Sequence, residues 1–259
     1  MQPRHTDRER YFREQSITSE KYFVPFIQKI KKITEDTEVL EVGCGDGGNL
    51  LPFIERNCKV TAIDQAPSRI EKAKDVFAEY GDRVRLLHMN IFDATDIGPF
   101  DIIVLNDVIE HIHDKTQLLG LLKKLLKPDG EGVLFLGFPA WQMPFGGHQQ
   151  ICRNPVVSWL PFIHLLPLPF YKFLLKSFSE KDNIISELLS IREARITIEM
   201  YYKLVKELNF TILKEQFYLI NPHYEVKFKL KPILLPNWLG KIPYIRNFFT
   251  TTCYSVLAE

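Results

Sequence analysis

A glycine-rich turn that directly follows a short apolar run constrains this chain more than any other feature. The run at residues 39–42 ends at Gly43, and Gly43, Gly45 and Gly48 satisfy the spacing G-x-G-x-x-G. Glycines at this spacing let the backbone turn sharply from a buried parallel strand into a helix, and let a ligand approach closely. The turn therefore predicts a ligand site beyond the carboxyl end of the first strand.

Apolar runs and amphipathic segments alternate regularly after this turn. The further strands are predicted at 60–63, 84–88, 102–105 and 133–136, and the helices at 50–56, 67–80 and 117–126. Regular alternation indicates right-handed βαβ units and a parallel sheet. We therefore expect an α/β protein with a doubly wound, mostly parallel seven-stranded sheet, helices on both faces, and an α-rich insertion after the fifth strand.

Changes in composition divide the chain into four parts. They are an N-terminal helical segment (1–36), a core that carries the ligand site (37–138), a Pro- and aromatic-rich insertion (139–195) and a C-terminal part (196–259). The insertion is expected to cover the substrate, and the C-terminal part to complete the sheet with a helix at 197–208 and strands near 210–217 and 250–257. Lysines alternate with apolar residues at 226–231, which predicts a strand with one solvated face.

Charge, cysteines and hydropathy exclude several classes of partner. The formal net charge is +1, and no basic motif is interleaved with aromatic residues, so no nucleic-acid partner is expected. The four cysteines lack metal-ligand spacing, so no metal is predicted, and a cytoplasmic location is expected. Prolines interrupt the most apolar window, 155–175, which argues against a spanning helix. A peripheral membrane contact through 165–178 stays open.

Two kinds of enzyme share the glycine turn, and charge separates them. Asp64 lies 21 residues after Gly43, where a carboxylate would hold ribose hydroxyls in either a dehydrogenase or a methyltransferase. A dinucleotide places a pyrophosphate on the turn, and Glu41 and Asp46 would repel it. S-adenosylmethionine is cationic at its amine and sulfur and suits an acidic turn. The pattern favours a methyltransferase.

Four motifs in order resemble those of class I, Rossmann-like S-adenosylmethionine-dependent methyltransferases of the small-molecule superfamily. Residues 39–48 resemble the first motif, 60–64 the second, 100–112 the fourth-strand motif and 127–130 the turn before the fifth strand. The resemblance covers about 100 residues of the chain. It implies S-adenosyl-L-methionine as cofactor.

The resemblance also implies roles for individual residues. Glu41 would order the methionine end of the cofactor, with the turn Gly43-Cys44-Gly45 passing beneath it, and Asp64 and Gln65 would bind the ribose. Asn90 stands where the family has an acidic residue that accepts from the adenine amino group, and it can accept without charge. The backbone N–H of Ile91 would face the ring, and Asn106 would lie near the amino-acid end.

The catalytic candidates follow the fourth and fifth strands. His111 and His148 are candidate general bases, whereas Glu110 and His113 are expected on the surface. Trp141, Phe145, Trp159, Phe162 and Phe170 are candidates for an apolar or sugar-stacking pocket or for packing of the insertion. The predicted function is methyl transfer to a small-molecule, glycan or lipid-linked acceptor at oxygen. An NAD(P)-dependent oxidoreductase and a non-catalytic S-adenosylmethionine-binding protein are the alternatives.

Overall fold

Eight β-strands form one sheet in the computed structural model, which describes residues 7–259. The strands are β1 (Glu38–Val42), β2 (Lys59–Asp64), β3 (Val84–His88), β4 (Ile102–Asn106), β5 (Val133–Phe138), β6 (Thr211–Ile220), β7 (Ile233–Leu234) and β8 (Thr252–Ala258). Their order is β3-β2-β1-β4-β5-β8-β6-β7. Pairs from β3 to β5 are parallel, and β8, β6 and β7 pair antiparallel. The predicted α/β architecture is confirmed.

The predicted count of seven strands is wrong, because β7 adds an eighth at the edge of the sheet. This strand has only two residues and lies between Pro232 and Pro236, so it is too short to show an alternating pattern. The strand predicted at 226–231 is also wrong. Asn221 accepts from the backbone N–H of His223 and a helix starts there, which then ends at Lys229 with φ 62°.

Twelve α-helices surround the sheet in the described part of the chain. They are α1 (Arg8–Thr18), α2 (Val24–Gln28), α3 (Leu51–Ile54), α4 (Pro67–Phe77), α5 (Lys115–Leu125), α6 (Pro155–Trp159), α7 (Leu168–Ser177), α8 (Asp182–Ala194), α9 (Ile198–Glu207), α10 (His223–Phe228), α11 (Asn237–Gly240) and α12 (Arg246–Phe249). A π-helical turn, Ser19–Phe23, joins α1 to α2. The first six residues of the predicted N-terminal segment lie outside the described residues.

Alternate side chains of the central strands pack on opposite faces of the sheet. Leu40, Ile103 and Leu134 contribute to a core that also contains Leu118 of α5 and Tyr201 of α9. Their neighbours along the strands, Val39, Ile102 and Val133, contribute to a second core that also contains side chains of α2, α3 and α4. Helices on both faces therefore bury the strands completely, as their continuous apolar runs require.

The helices between β5 and α9 have a small core of their own. It contains Cys152, Val157, Ile163, Tyr171, Leu175, Ile185 and Leu188. A separate small core of this kind indicates a segment that packs beside the sheet rather than within it. The boundaries 139–195 for a substrate-covering insertion stay a prediction.

Candidate active site

The glycine turn lies at the carboxyl end of β1, where its backbone is held in the left-handed region. Gly45 has φ 57° and Gly47 has φ 87°, which L side chains rarely adopt. Gly48 is needed for a different reason, because a Cβ there would lie 2.5 Å from the carbonyl oxygen of Phe12 in α1. The turn is therefore shaped both by its own dihedral angles and by the N-terminal helix that packs against it.

The surroundings of Glu41 suit the binding of a cation. The side chain is 1% exposed, its Oε1 accepts from Asn49 Nδ2 at 2.8 Å, and no described group within hydrogen-bond distance donates to Oε2. Burial raises the pKa of Glu41 to about 8, the hydrogen bond from Asn49 lowers it, and the charge of Asp64 raises it further. Near neutral pH the free protein therefore holds a proton on this carboxyl.

Asp46 does not leave a free negative charge on the turn, contrary to the expectation from the sequence. Arg8 of α1 makes a two-pronged ion pair with the buried carboxylate, and Lys72 Nζ lies 3.7 Å from its Oδ2. Since Glu41 is largely neutral as well, the acidic-turn argument against a pyrophosphate is weaker in the folded protein than in the sequence. The choice between the two kinds of enzyme depends on other observations.

Asp64 is fixed by the backbone of the turn. Its Oδ2 accepts from the Gly45 N–H and its Oδ1 from the Ala66 N–H, both at 2.8 Å. Each carboxylate oxygen has a second lone pair, so the group can still accept from ribose hydroxyls. Gln65 beside it is exposed, and its carbonyl oxygen lies 3.1 Å from His88 Nε2.

Arg69 covers part of the turn. A Cβ on Gly45 would lie 2.8 Å from Arg69 Nη1, so the guanidinium rests against the face of the glycine. The side chain is solvent-exposed, belongs to the first turn of α4 and is long enough to move away from the glycine turn. Sequence reasoning did not identify this cation, since no pattern connects it to the turn.

The residues expected at the adenine end lie together after β3. Asn90 caps a short 3-10 turn, Ile91–Asp93, by accepting from the Phe92 N–H at 3.1 Å. Its side chain is exposed, whereas that of Ile91 is buried. The adenine roles of both residues stay predictions.

Asn106 and Asp107 mark the carboxyl end of β4. Asn106 Nδ2 donates to Asp107 Oδ2 at 2.9 Å, and Asn106 Oδ1 rests on Gly137 of β5. Asp107 has φ 53° and a side chain that water reaches, although protein surrounds it on most sides. This confinement raises the pKa of Asp107 to about 6, against the lowering effects of Asn106 and Lys227. Asp107 is therefore the carboxylate at the centre of the cleft.

Two tyrosines from elements outside the core border the same cleft. Burial, and then the charge of Asp107, raises the pKa of Tyr11 in α1 and of Tyr224 in α10 to about 12. Helices α1 and α10 are joined to each other, since Thr18 Oγ1 lies 2.9 Å from His223 Nδ1. The sequence offered no signal for either tyrosine, because both depend on how the terminal parts of the chain fold back onto the sheet.

The two predicted histidines, His111 and His148, lie side by side. The rings of His111 and His148 lie edge to face with centroids 4.9 Å apart, and His148 Nε2 lies 4.0 Å from Glu110 Oε1. Burial lowers the pKa of both imidazoles, that of His148 to about 3. His111 is reached by solvent, whereas His148 is half-buried behind it. Both rings are therefore neutral and hold a free lone pair near pH 7.

Glu110 is not a surface group, so that expectation is wrong. The side chain is 3% exposed, and neither carboxyl oxygen has a hydrogen-bond partner among the described residues. Burial raises its pKa, and nearby Asp107 raises it further. Ligand atoms of Glu110, His111 and His148 lie within 4.8 Å of one another, close enough to hold a metal ion together. His113 is exposed as predicted and lies 3.3 Å from Ser190 Oγ.

The candidate aromatic pocket does not form. Trp141 is buried and packs edge to face on His164, with ring centroids 4.6 Å apart. Trp159 and Phe170 are instead 68% and 66% exposed. Trp141 thus serves packing, whereas Trp159 and Phe170 are exposed to solvent.

The residues present fit S-adenosylmethionine. Glu41 offers an unpartnered buried oxygen where the resemblance places the cofactor's ammonium group, although Val108 and Arg69 lie against the glycines of the turn. The carboxylates of Asp64 and Asp107 add negative charge on either side. Arg69 and, near Asp107, Lys227 oppose a cationic ligand, and the exposed side chain of Arg69 can move.

Comparisons with known proteins agree with this interpretation of the cleft. A family described as methyltransferase domain matches residues 40–131. An O-methyltransferase of ubiquinone biosynthesis from Caulobacter vibrioides is 36% identical over 129 residues, which cover 49% of this chain and 50% of that protein. The corresponding protein of Rickettsia conorii is 31% identical over 114 residues, covering 43% of this chain and 39% of the relative. The chain thus spans half or less of the curated relatives it matches.

Solved structures share the fold over nearly the whole chain. A putative sarcosine dimethylglycine methyltransferase from Galdieria sulphuraria superposes with a TM-score of 0.60 at 12% identity, covering 93% of this chain and 85% of that one. A magnesium protoporphyrin IX methyltransferase from Synechocystis PCC 6803, solved with S-adenosylhomocysteine, gives a TM-score of 0.55 at 13% identity, covering 95% and 84%. At such low identity the likeness concerns the fold alone.

Proposed function

We propose that this chain, whose residues 40–131 match a methyltransferase domain and whose fold is shared with solved methyltransferases, transfers a methyl group from S-adenosylmethionine to a hydroxyl oxygen of a small molecule. The observation that carries the proposal is the pair His111 and His148 beside Asp107, at the carboxyl ends of β4 and β5. The curated relatives named as O-methyltransferases support oxygen as the acceptor atom. The match to a methyltransferase domain favours a methyltransferase over the dehydrogenase alternative, which charge alone did not separate.

The cofactor end of the cleft is assigned to the glycine turn and its neighbours. When bound, S-adenosylmethionine supplies a methyl group on a cationic sulfur, and its transfer is an in-line displacement. Glu41 would accept from the ammonium group and lose its proton on binding, because a nearby cation favours the carboxylate. Asp64 would accept from the ribose hydroxyls while the Gly45 and Ala66 amides hold it in place.

The acceptor end is assigned to His111. Its neutral imidazole is reached by solvent and can take the hydroxyl proton as the oxygen attacks. Its lowered pKa makes it a weak base, so an acidic hydroxyl such as that of a phenol is a better acceptor than an aliphatic alcohol. His148, packed edge-on behind it, would position the ring.

The acceptor class follows from the surroundings of the cleft. Tyr11 and Tyr224 border it with aromatic rings, whereas Trp159 and Phe170, which might have stacked on a sugar, face solvent. An apolar or lipid-linked phenol therefore fits better than a glycan.

The proposal is tested by incubating the full chain with S-adenosylmethionine and single acceptors: a catechol, a phenol with an alkyl chain, an alkyl alcohol and an aryl amine. Release of S-adenosylhomocysteine and the product mass are measured by mass spectrometry. We expect methylation of the phenolic acceptors at oxygen. Cofactor binding without release of S-adenosylhomocysteine on any acceptor would instead identify a non-catalytic binding protein.

A further inference from the structure

Large apolar side chains project into solvent from one segment of the chain. Over residues 156–173 Phe173 is 71% exposed, Trp159 68%, Phe170 66% and Val156 58%. Phe170 and Phe173 lie on the outer side of α7, whose inner side buries Tyr171 and Leu175 in the small core. Exposed aromatic groups at this density usually mark a binding surface.

A second exposed segment joins the first in space. The rings of Phe162 and Phe248 lie 6.4 Å apart, and Phe248 and Phe249 of α12 are 40% and 42% exposed. Phe162 itself has φ 64°, so its exposed ring is held there by a backbone conformation that bulky residues rarely adopt. We call Trp159, Phe162, Phe170, Phe173, Phe248 and Phe249 the aromatic surface.

Cations outnumber carboxylates along the segments that carry the aromatic surface, although Arg246 is paired with Glu199. No Asp or Glu occurs from residue 153 to 179, where Arg153, Lys172 and Lys176 are found, or from 226 to 258, where Lys241 and Arg246 lie among five cations. Lys172 and Lys176 sit on α7 beside the exposed phenylalanines. A surface of aromatic rings flanked mainly by cations complements an anionic lipid headgroup layer over an apolar interior.

A cationic cavity opens beside α7. It has a volume of about 210 Å³ and is lined by Leu168, Lys172, Leu189, Arg192, Glu193 and Arg195. Its three cations outnumber the single carboxylate, and Arg192 is held in place by donating to the carbonyl oxygen of His164. Arginine and lysine at such a cavity suit a phosphate group.

We propose that the aromatic surface docks on an anionic lipid bilayer, with the cavity of Lys172, Arg192 and Arg195 receiving a lipid phosphate. The contact is peripheral, since none of the helices in the described part of the chain has the length and hydropathy to cross a membrane. The segment that carries the surface starts directly after the loop of His148, so docking places the candidate active site near lipid. An acceptor dissolved in the bilayer is then within reach.

The proposal is tested by flotation of the full chain with vesicles of equal parts phosphatidylglycerol and phosphatidylcholine, and with phosphatidylcholine alone. We expect binding to the anionic vesicles and at least about tenfold weaker binding to the neutral ones, because cations and aromatic rings act together. Phe170→Ser/Phe173→Ser should reduce binding to anionic vesicles about tenfold or more. Leu213→Ser, at an exposed apolar position of β6, is the matched control and should bind as the unmodified chain does.

A charge-reversed pair tests the cationic part separately. Lys172→Glu/Lys176→Glu should lower binding to anionic vesicles about tenfold, whereas Lys124→Glu on the exposed side of α5 should not. S-adenosylhomocysteine affinity shows that each variant is folded. Since vesicle binding needs no methyl transfer, failure of the proposed reaction leaves this result unaffected.

Two outcomes overturn the proposal. One is that folded Phe170→Ser/Phe173→Ser binds anionic vesicles as tightly as the unmodified chain. The other is that the chain does not bind vesicles but sediments as a dimer, and that this double substitution dissociates the dimer. The aromatic surface would then be an interface between two copies of the chain.

Discussion

The imidazole rings of His111 and His148 lie edge to face, 4.9 Å between centroids, although one follows β4 and the other β5. Parallel neighbouring strands end at the same edge of the sheet, which brings the two loops together. Glu110 is buried beside His148, and burial raises its pKa. Substitutions of His111 and His148 should therefore change the rate of methyl transfer more than the affinity for the cofactor.

Substituting the solvent-facing member of this pair should affect turnover. His111→Ala is expected to lower kcat by roughly 100-fold, the usual loss when a general base is removed, with S-adenosylhomocysteine affinity changed less than about threefold. His148→Ala should act in the same direction by displacing the His111 ring. His113→Ala, at an exposed position two residues after His111, is the control. Unchanged kcat in both His111→Ala and His148→Ala would mean that the loops after β4 and β5 have only a structural role.

The pH dependence of turnover follows from the same burial. Because the pKa of His111 is lowered from its ordinary value of 6.5, its imidazole stays neutral as pH falls through 6.5. The rate should therefore stay level to a pH below 6.5 before it declines. A decline centred above pH 6.5 would assign the base to another group.

Glu41 should make the protein less stable as pH rises. Its pKa is about 8 in the folded chain and near 4.5 when unfolded, so between these values only the folded state holds the proton. Stability contributed by this proton is present below pH 4.5 and is lost as pH rises toward 8. Glu41→Gln keeps the shape without the charge and should gain roughly 2–4 kcal/mol over the unmodified chain between pH 5 and pH 8.

Urea unfolding of the cofactor-free protein at pH 5 and pH 8 measures this gain. Glu71→Gln, at an exposed position of α4, is the matched control and should shift equally at both pH values. If the difference between Glu41→Gln and the unmodified chain is independent of pH, Glu41 titrates normally and the cation-receiving role loses its physical basis.

Asp64 should contribute directly to cofactor affinity. Asp64→Ala is expected to weaken S-adenosylhomocysteine binding by about 1–3 kcal/mol, because ribose hydroxyls lose their partner and the Gly45 amide loses its acceptor. Asp64→Asn, which keeps one acceptor oxygen, should fall between. Calorimetric titration gives the affinities, with Asp75→Ala on the exposed side of α4 as control. Equal affinity in all three variants would remove Asp64 from the site.

Arg69 should oppose the cationic donor. Arg69→Ala is expected to tighten S-adenosylmethionine binding about two- to fivefold, a small effect because the side chain is exposed and screened. S-adenosylhomocysteine, whose sulfur is uncharged, should gain less. Lys74→Ala, an exposed cation elsewhere on α4, is the control. Weaker binding of both ligands in Arg69→Ala would mean that Arg69 belongs to the binding site.

Local patterns predicted most of the fold correctly, and the failures have identifiable causes. The strands predicted at 60–63, 84–88, 102–105 and 133–136 are confirmed within one or two residues, because buried parallel strands are continuous apolar runs. The alternation at 226–231 failed, since a cap at Asn221 and packing against α1 make it helical. Glu110 was misplaced because a charged residue next to histidines looks solvent-exposed without its tertiary neighbours.

The sequence by itself determined the sheet and the glycine turn, because these depend on neighbouring residues and on their spacing. Only the tertiary structure decided the electrostatics of the cleft. It pairs Asp46 with Arg8, buries Glu41 and Glu110, brings Tyr11 and Tyr224 to Asp107, and turns the aromatic surface outward. Each of these depends on residues distant in sequence, and protonation depends on the burial that those residues create.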